Sequence, residues 1–222
     1  MATLTASYVR ASSQALLNPD APEWDRPAET IELDPSPLET QPSDYVIVAW
    51  EGRDYGRVKQ VRVRQLHNGQ ALFFLLEWDD PHKDTEITDI DTFTDAAAVM
   101  FPTRGDAPLL VMGSEDQPVN LWFWRADWEQ PRSVGAVGHS TTVRYPGETL
   151  AAASVWRDSV WRVVIGRLFE ATQTSPEPTA EVPELAPGTS VKVSFSVWEG
   201  STQERGGIKA ISQVWHELNI EA

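Results

Sequence analysis

The stretch VKVSFSVWEGSTQERGGIKAISQVWHEL, Val191 to Leu218, sets an alternating run before a polar, glycine-rich turn and a second alternating run after it. Residues repeating with period two turn one side of an extended chain to a core and the other away from it. The stretch therefore predicts strand, turn and strand, with one lysine at the end of the turn. The same period recurs upstream from Tyr45 in YVIVAW, GRVKQVRVRQL, QALFFLLEW, DAAAVMF, PLLVM, PVNLWFWRAD, TLAAASVW and WRVVIGRLF, each bounded by Gly, Pro, Asn or Asp. With VKVSFSVW and IKAISQVWHELNI the chain offers ten short strands. The prediction is an all-β fold, a single antiparallel β-sandwich with few short helices.

Ahead of the strands, the segment to Ser43 carries Pro19, Pro22, Pro27, Pro35, Pro37 and Pro42. Each proline removes a backbone donor and interrupts regular structure. Residues 1–43 are expected to form an extended arm laid across the domain or a partner, with Trp24 as its anchor, and 44–222 to form the sandwich domain. TQTSPEPTAEVPELAPG, Thr172 to Gly188, holds four prolines and three glutamates. It reads as a loop, because the pattern after it is too short to build a core of its own.

At 222 residues, 41% of them hydrophobic and ten of them Trp, the chain can fill one substantial core. The absence of Cys excludes disulfides, thiolate zinc sites, iron-sulfur clusters and covalent c-type haem. With 18 basic against 33 acidic residues the net charge is −15, which repels phosphate backbones and anionic membranes and argues against nucleic-acid binding. Such charge reads first as a well-solvated surface, then as steering of a basic partner or adaptation to salt. No run approaches the roughly 18 apolar residues of a membrane span, and the N-terminus lacks the apolar stretch of a signal peptide.

Few motifs carry chemistry. Gly206-Gly207 lacks the sequel of a phosphate-binding loop, and no serine stands in GxSxG. His67, His82, His139 and His216 are scattered without HxH or HxxxH spacing, which speaks for structural roles. Trp122 and Trp124 alternate in LWFWRADW and read as buried core rings, or else as a solvent-facing carbohydrate platform. Past the initiator only Met100 and Met112 occur. Met100 lies in the apolar run AAAVMFP and reads as a gap-filling core side chain, whereas Met112 stands at a turn before Gly113. Of the four lysines, Lys59, Lys83, Lys192 and Lys209, Lys192 alternates with valines as on a solvated strand face, and Lys209 follows the RGG turn between Ile208 and Ala210.

Taken in order, APEW near the N-terminus, LHNGQALFFLLEWDD, FTDAAAVMFP, the MG…PVNLWFWRAD segment, WRVVIGR and FSVWEG…ERGGIKAIS…W resemble the haem b-binding gamma subunits of the ethylbenzene dehydrogenase, dimethylsulfide dehydrogenase, selenate reductase and chlorate reductase family. The resemblance implies one haem b between a methionine and a lysine, here Met112 and Lys209, with Met100 and Lys192 as reserves. It implies an electron-transfer subunit that is not itself an enzyme. The partners implied are a molybdopterin-containing catalytic subunit, an iron-sulfur beta subunit and an external carrier such as a cytochrome c. It also implies a periplasmic place reached with a twin-arginine-bearing partner, the alternative being cytoplasmic. A carbohydrate-binding sandwich without haem is the rival reading, and a structural subunit that has lost its cofactor is a third.

Overall fold

The structure, a computed structural model, describes residues 1–144, 150–170 and 182–222. Among these residues the strands are β1 (Thr3–Tyr8), β2 (Glu29–Glu32), β3 (Asp34–Pro35), β4 (Gln60–His67), β5 (Ala71–Asp79), β6 (Ala96–Pro102), β7 (Val119–Arg125), β8 (Arg132–Ala136), β9 (Val143–Arg144), β10 (Leu150–Arg157), β11 (Val160–Leu168), β12 (Ser190–Trp198), β13 (Ala210–Ile211) and β14 (His216–Ile220). Two short helices accompany them, α1 (Ser13–Leu16) and α2 (Asp44–Trp50). Residues 172–181 of the proline-rich stretch, and Thr149 of TLAAASVW, lie outside the described residues.

The strands run in the order β10-β11-β5-β4-β1-β14-β12-β6-β7-β8-β9. The two halves of this path fold onto each other. Phe74, Trp78 and Trp161 of one half share a buried cluster with Trp122, Trp124 and Phe195 of the other, and the rings of Phe74 and Trp122 meet at 5.8 Å, those of Trp124 and Trp161 at 5.1 Å. This makes an all-β sandwich whose inner faces are closed by aromatic side chains. Trp122 and Trp124 belong to this core, as their alternation leads one to expect, and are 0% and 4% exposed, so they form no solvent-facing platform.

The hinge between the halves is β1, which lies in the segment expected as an arm. Residues Thr3–Ala6 pair with β14, and Ser7 and Tyr8 pair with β4. Both pairings are parallel, whereas the other strand pairs among the described residues are antiparallel. Its alternation Leu4, Ala6 is short, and its partners are far away in sequence, so the local pattern hides it. The segment then crosses the outer face of β5 and β11 as far as Trp24, before β2 pairs with β4 and β3 with β13. Trp24 is buried there with Leu16, Phe73 and Val164, and its indole N–H donates to the Leu16 carbonyl at 3.1 Å.

Two runs read as strands take other forms. YVIVAW is helical as α2. Asp44 supplies a negative charge to its first turn, no strand lies beside it, and only Trp50 of the run is buried while Tyr45 and Val48 face solvent. PLLVM forms a 3-10 turn at Leu109–Val111 and ends with Met112 in left-handed backbone.

Strand β6 is apolar on both faces: Ala97, Val99 and Phe101 enter the central core, while Ala96, Ala98 and Met100 pack into a second cluster on the outside. A strand buried on both sides needs an outer covering, and that covering builds the site described below. On the opposite layer, Gly166 of β11 sits across from Phe73, and a Cβ there would come within 2.2 Å of the Phe73 ring. Gly166→Ala is expected to lower unfolding free energy by about 1–3 kcal/mol through overpacking, checked by urea denaturation; an unchanged midpoint would show that the ring moves aside freely.

Candidate functional site

The outer face of β6, β7 and β8 is the floor of a cavity of about 800 Å³, where Ala96, Leu121, Phe123 and Val134 present small or apolar groups. Helix α2 supplies one wall through Val46 and Trp50, which stand four residues apart and so share a side of the helix. Phe93 and Ile87 supply a second wall, and residues 204–209, in the turn from β12 to β13, a third. The volume lies within the roughly 300–1,000 Å³ of small-molecule sites.

Lys209 closes this third wall. Its backbone is fixed from the N-terminal segment: the Lys209 N–H donates to Ser36 Oγ at 3.3 Å, Ser36 N–H donates to the Lys209 carbonyl at 2.9 Å, and Ser36 Oγ and Gln41 Nε2 both donate to the Gly207 carbonyl, at 2.7 and 3.2 Å. The side chain is 4% exposed, and its Nζ lies 5.2 Å from the centre of the Trp198 ring. No Asp or Glu among the described residues pairs with it, and burial pushes the amine down to about 8.

Met112 comes from the opposite rim. It caps the Leu109–Val111 turn at φ 63°, ψ 48°, a backbone region that bulky residues avoid unless the surroundings impose it. They do so here: Gly113 follows at φ +86°, and a Cβ on Gly113 would stand 2.9 Å from the Gln117 carbonyl oxygen and 3.0 Å from that of Ala136. Gly138 N–H donates to the Met112 carbonyl at 2.9 Å. The result is a half-buried thioether on the cavity that contains Lys209.

The two reserve residues stand elsewhere. Met100 is 2% exposed in the cluster beneath the cavity floor and Lys192 is half-exposed in an ion pair with Asp106. Sequence reading did not single out two further features of the cavity. His139 lines it with Nε2 buried and without a hydrogen-bond partner, its imidazole held below the usual value by burial and then by the charge of Lys209. Arg125, Arg132 and Arg144 gather at one end; burial, then the charges of Arg144 and Arg125, depress the Arg132 guanidinium. Arg125 is held by Asp127 at 2.6 Å, and Arg132 lies 3.5 Å from the Trp128 ring centre. The arginines become neighbours only through the pairing registers of β7 with β8 and β8 with β9. The histidine carried no signal in its spacing.

The buried amine has a consequence for stability. A lysine whose folded value is depressed binds fewer protons in the native than in the unfolded chain, so stability rises with pH between the folded value, about 8, and the unfolded value near 10.4. Relative to Lys209→Met, the native chain without ligand should gain up to about 3 kcal/mol between pH 7 and pH 10.5, read from urea unfolding at several pH values. Parallel curves for the two proteins would mean that the amine reaches water.

A family profile described as Ethylbenzene dehydrogenase matches residues 21–150, more than half of the chain. A protein of Haloferax mediterranei named "Putative respiratory nitrate reductase heme subunit ORF7" is 33% identical over 160 residues, 72% of this chain. The chlorate reductase subunit gamma of Ideonella dechloratans is 36% identical over 150 residues, 67% of this chain. The matches span 55% and 60% of those relatives' own lengths, so this chain corresponds to somewhat over half of each. The crystal structure of a "putative carbohydrate-binding protein" from Bacteroides uniformis superposes with a TM-score of 0.51 at 10% identity, over 99% of both chains, a likeness of fold alone. The matched profile begins in the N-terminal segment that fixes Lys209 and runs through the whole of the Met112 rim, and on that evidence the chain belongs to the ethylbenzene dehydrogenase family.

Proposed function

We propose that this chain is the haem b-carrying, non-catalytic electron-transfer subunit of a multisubunit oxidoreductase, with Met112 and Lys209 as the axial ligands of the iron. The observation that carries the reading is a lysine, 4% exposed and without an acidic partner, on the same cavity as a methionine held in left-handed backbone. The residues present fit the group. The floor of Ala96, Leu121, Phe123 and Val134 suits an apolar macrocycle, and Arg132 and Arg144 at one end suit its two carboxylates. Bound there, haem supplies reversible one-electron chemistry, and two side-chain ligands leave no coordination position for a substrate or oxygen.

The protein's own contribution begins with the proton on Lys209. An amine binds a metal only when neutral. At pH 7 deprotonation of an ordinary lysine costs about 5 kcal/mol, and of one at about 8 only about 1.4 kcal/mol. Burial thus removes most of the penalty before any ligand arrives. The Met112 thioether is neutral and soft, which favours the reduced iron and a raised potential.

On this reading the chain works in a heterotrimer with a molybdopterin-containing catalytic subunit and an iron-sulfur subunit, and exchanges electrons with an external carrier such as a cytochrome c. The gamma-subunit name of the chlorate reductase relative supports such a place. No helix of the described residues is long and apolar enough to cross a membrane. We assign the complex to the periplasm, exported with the partner that bears the twin-arginine leader.

The test is an absorption spectrum of the haem-replete chain. A low-spin spectrum with a Soret band is expected, and its absence would remove the haem reading. Lys209→Ala should give a high-spin form or lose haem, and Lys209→Arg should do no better, because guanidinium has no lone pair to offer. Met112→Ala should also lose the low-spin form, whereas Met100→Leu, Lys192→Ala and His139→Ala should retain it; Lys192→Ala should also stay within about 0.5 kcal/mol of the parent's stability. Loss with His139→Ala and retention with Met112→Ala would reassign that ligand to the histidine. Arg132→Ala should weaken haem retention by about 10- to 100-fold if it holds a propionate, measured by transfer to apomyoglobin.

A further inference from the structure

Five side chains outside the cavity meet where β5, β6 and β12 end. Asp80 follows the last residue of β5, Asp95 precedes the first of β6, and Glu199 follows the last of β12; all three are buried. One ligating atom from each of Asp84, Asp95 and Glu199 lies within 4.8 Å of the other two, and the same holds for Asp80, His82 and Glu199. Glu199 belongs to both sets. No lysine or arginine among the described residues pairs with these carboxylates, and their one ion-pair contact is with the exposed His82, 3.9 Å from Glu199.

The second observation is an unpaired oxygen. Asp80 is 0% exposed; its Oδ1 accepts from the His82 N–H at 3.0 Å, while Oδ2 is buried with no hydrogen-bond partner. The Trp78 indole N–H stands near enough to draw the Asp80 value down a little, but neither it nor Oδ2 reaches hydrogen-bond geometry. Asp84 Oδ2 is likewise buried and unpaired. A native protein rarely leaves a buried carboxylate oxygen unmet. Asp95 is the organised member: its Oδ1 accepts from Gly200 N–H at 2.9 Å, and its Oδ2 from Asp84 N–H at 2.8 Å and Trp161 Nε1 at 2.9 Å.

We infer that this cluster is a calcium site, with Asp84, Asp95 and Glu199 as oxygen ligands and Asp80 facing the ion from the end of β5. The buried donors are carboxylate oxygens drawn from three strand ends and a loop. That set suits a hard cation accepting six to eight oxygens in flexible geometry better than the strict octahedron of magnesium or the nitrogen- and sulfur-rich tetrahedron of zinc.

The ion would staple residues 80–95 to the turn that leads from β12 to Lys209. These segments already touch: a Cβ on Gly200 would stand 2.3 Å from the Phe93 carbonyl oxygen and 2.8 Å from Asp84 Cβ. Both also wall the cavity, through Phe93 and through residues 204–209. The ion's role is structural, and it does not depend on whether the cavity takes haem.

The experiment uses the full chain, stripped with EGTA and titrated with calcium chloride by calorimetry, with and without haem. One equivalent should bind in both forms, and the melting temperature should rise by about 5–10 °C at a hundredfold excess over Kd. Asp84→Asn, at a half-buried position and the variant least apt to disturb folding, should weaken calcium binding at least tenfold, and Glu199→Gln likewise. No uptake by the parent at millimolar calcium, or uptake unchanged in both variants, would overturn the proposal. Binding of zinc but not calcium, lost with His82→Ala, would overturn the choice of ion.

Discussion

Two strands buried on both faces govern how this molecule is put together. β5 gives Phe74, Leu76 and Trp78 to the inside of the sandwich and Phe73 and Leu75 to the outside. β6 does the same with Val99 and Phe101 inside and Ala98 and Met100 outside. A bare sandwich would leave those outer faces to water at about 25 cal/mol for each Å² of apolar area. Each layer therefore carries a coat. Over β5 the coat is the N-terminal segment, packed tightly through Leu16 and Trp24. Over β6 it is a set of loops and one short helix that close less completely, and the remaining space is the cavity.

The chemistry of that cavity rests on a charge left without compensation. A buried lysine beside a carboxylate would be held in a structural ion pair, as Lys192 is with Asp106 at the surface. Lys209 instead faces the Trp198 ring and lies near a depressed histidine. In a chain of net charge −15, keeping every carboxylate from one lysine requires the separation the fold provides. Asp80, Asp95 and Glu199 gather outside the cavity lining, and Glu204, the carboxylate closest along the chain, is occupied by the backbone N–H groups of Arg57 and Glu199.

Much of this was legible in the sequence, and particular residues show where legibility stopped. Period two identified the core strands because in β7 and β12 the inward positions are Trp122, Trp124, Phe195 and Val197, which fit no other arrangement. It failed at YVIVAW, where three consecutive β-branched residues, Val46 to Val48, sit on a helix that has no partner strand, and at Leu109–Met112, which forms a turn. Strand β1 was hidden because its reason for existing is long-range: it pairs with residues some 60 and 210 positions away. Met112 and Lys209 were named from a resemblance and from scarcity, and the fold brings both to one cavity. His139 and the arginines went unnoticed because a lone side chain has no period, and a cross-strand cluster is visible only once the register is known.

The arm shows how the two levels join. Ser36 is a small polar residue in a proline-rich stretch, ordinary as sequence. In the fold its hydroxyl donates to the Gly207 carbonyl and accepts from the Lys209 N–H, while Pro35 lies opposite Ala210 in the short β3–β13 ladder. The glycines that let the turn bend would by themselves leave Lys209 on a loose loop, since glycine loses more conformational freedom on ordering than any other residue. That cost is met by contacts from a segment about 170 residues earlier in the chain. The orientation of the buried Lys209 amine is therefore a property of the assembled sandwich and its N-terminal segment together. A strand-turn-strand unit cut out around Lys209 would keep the sequence motif and lose the geometry.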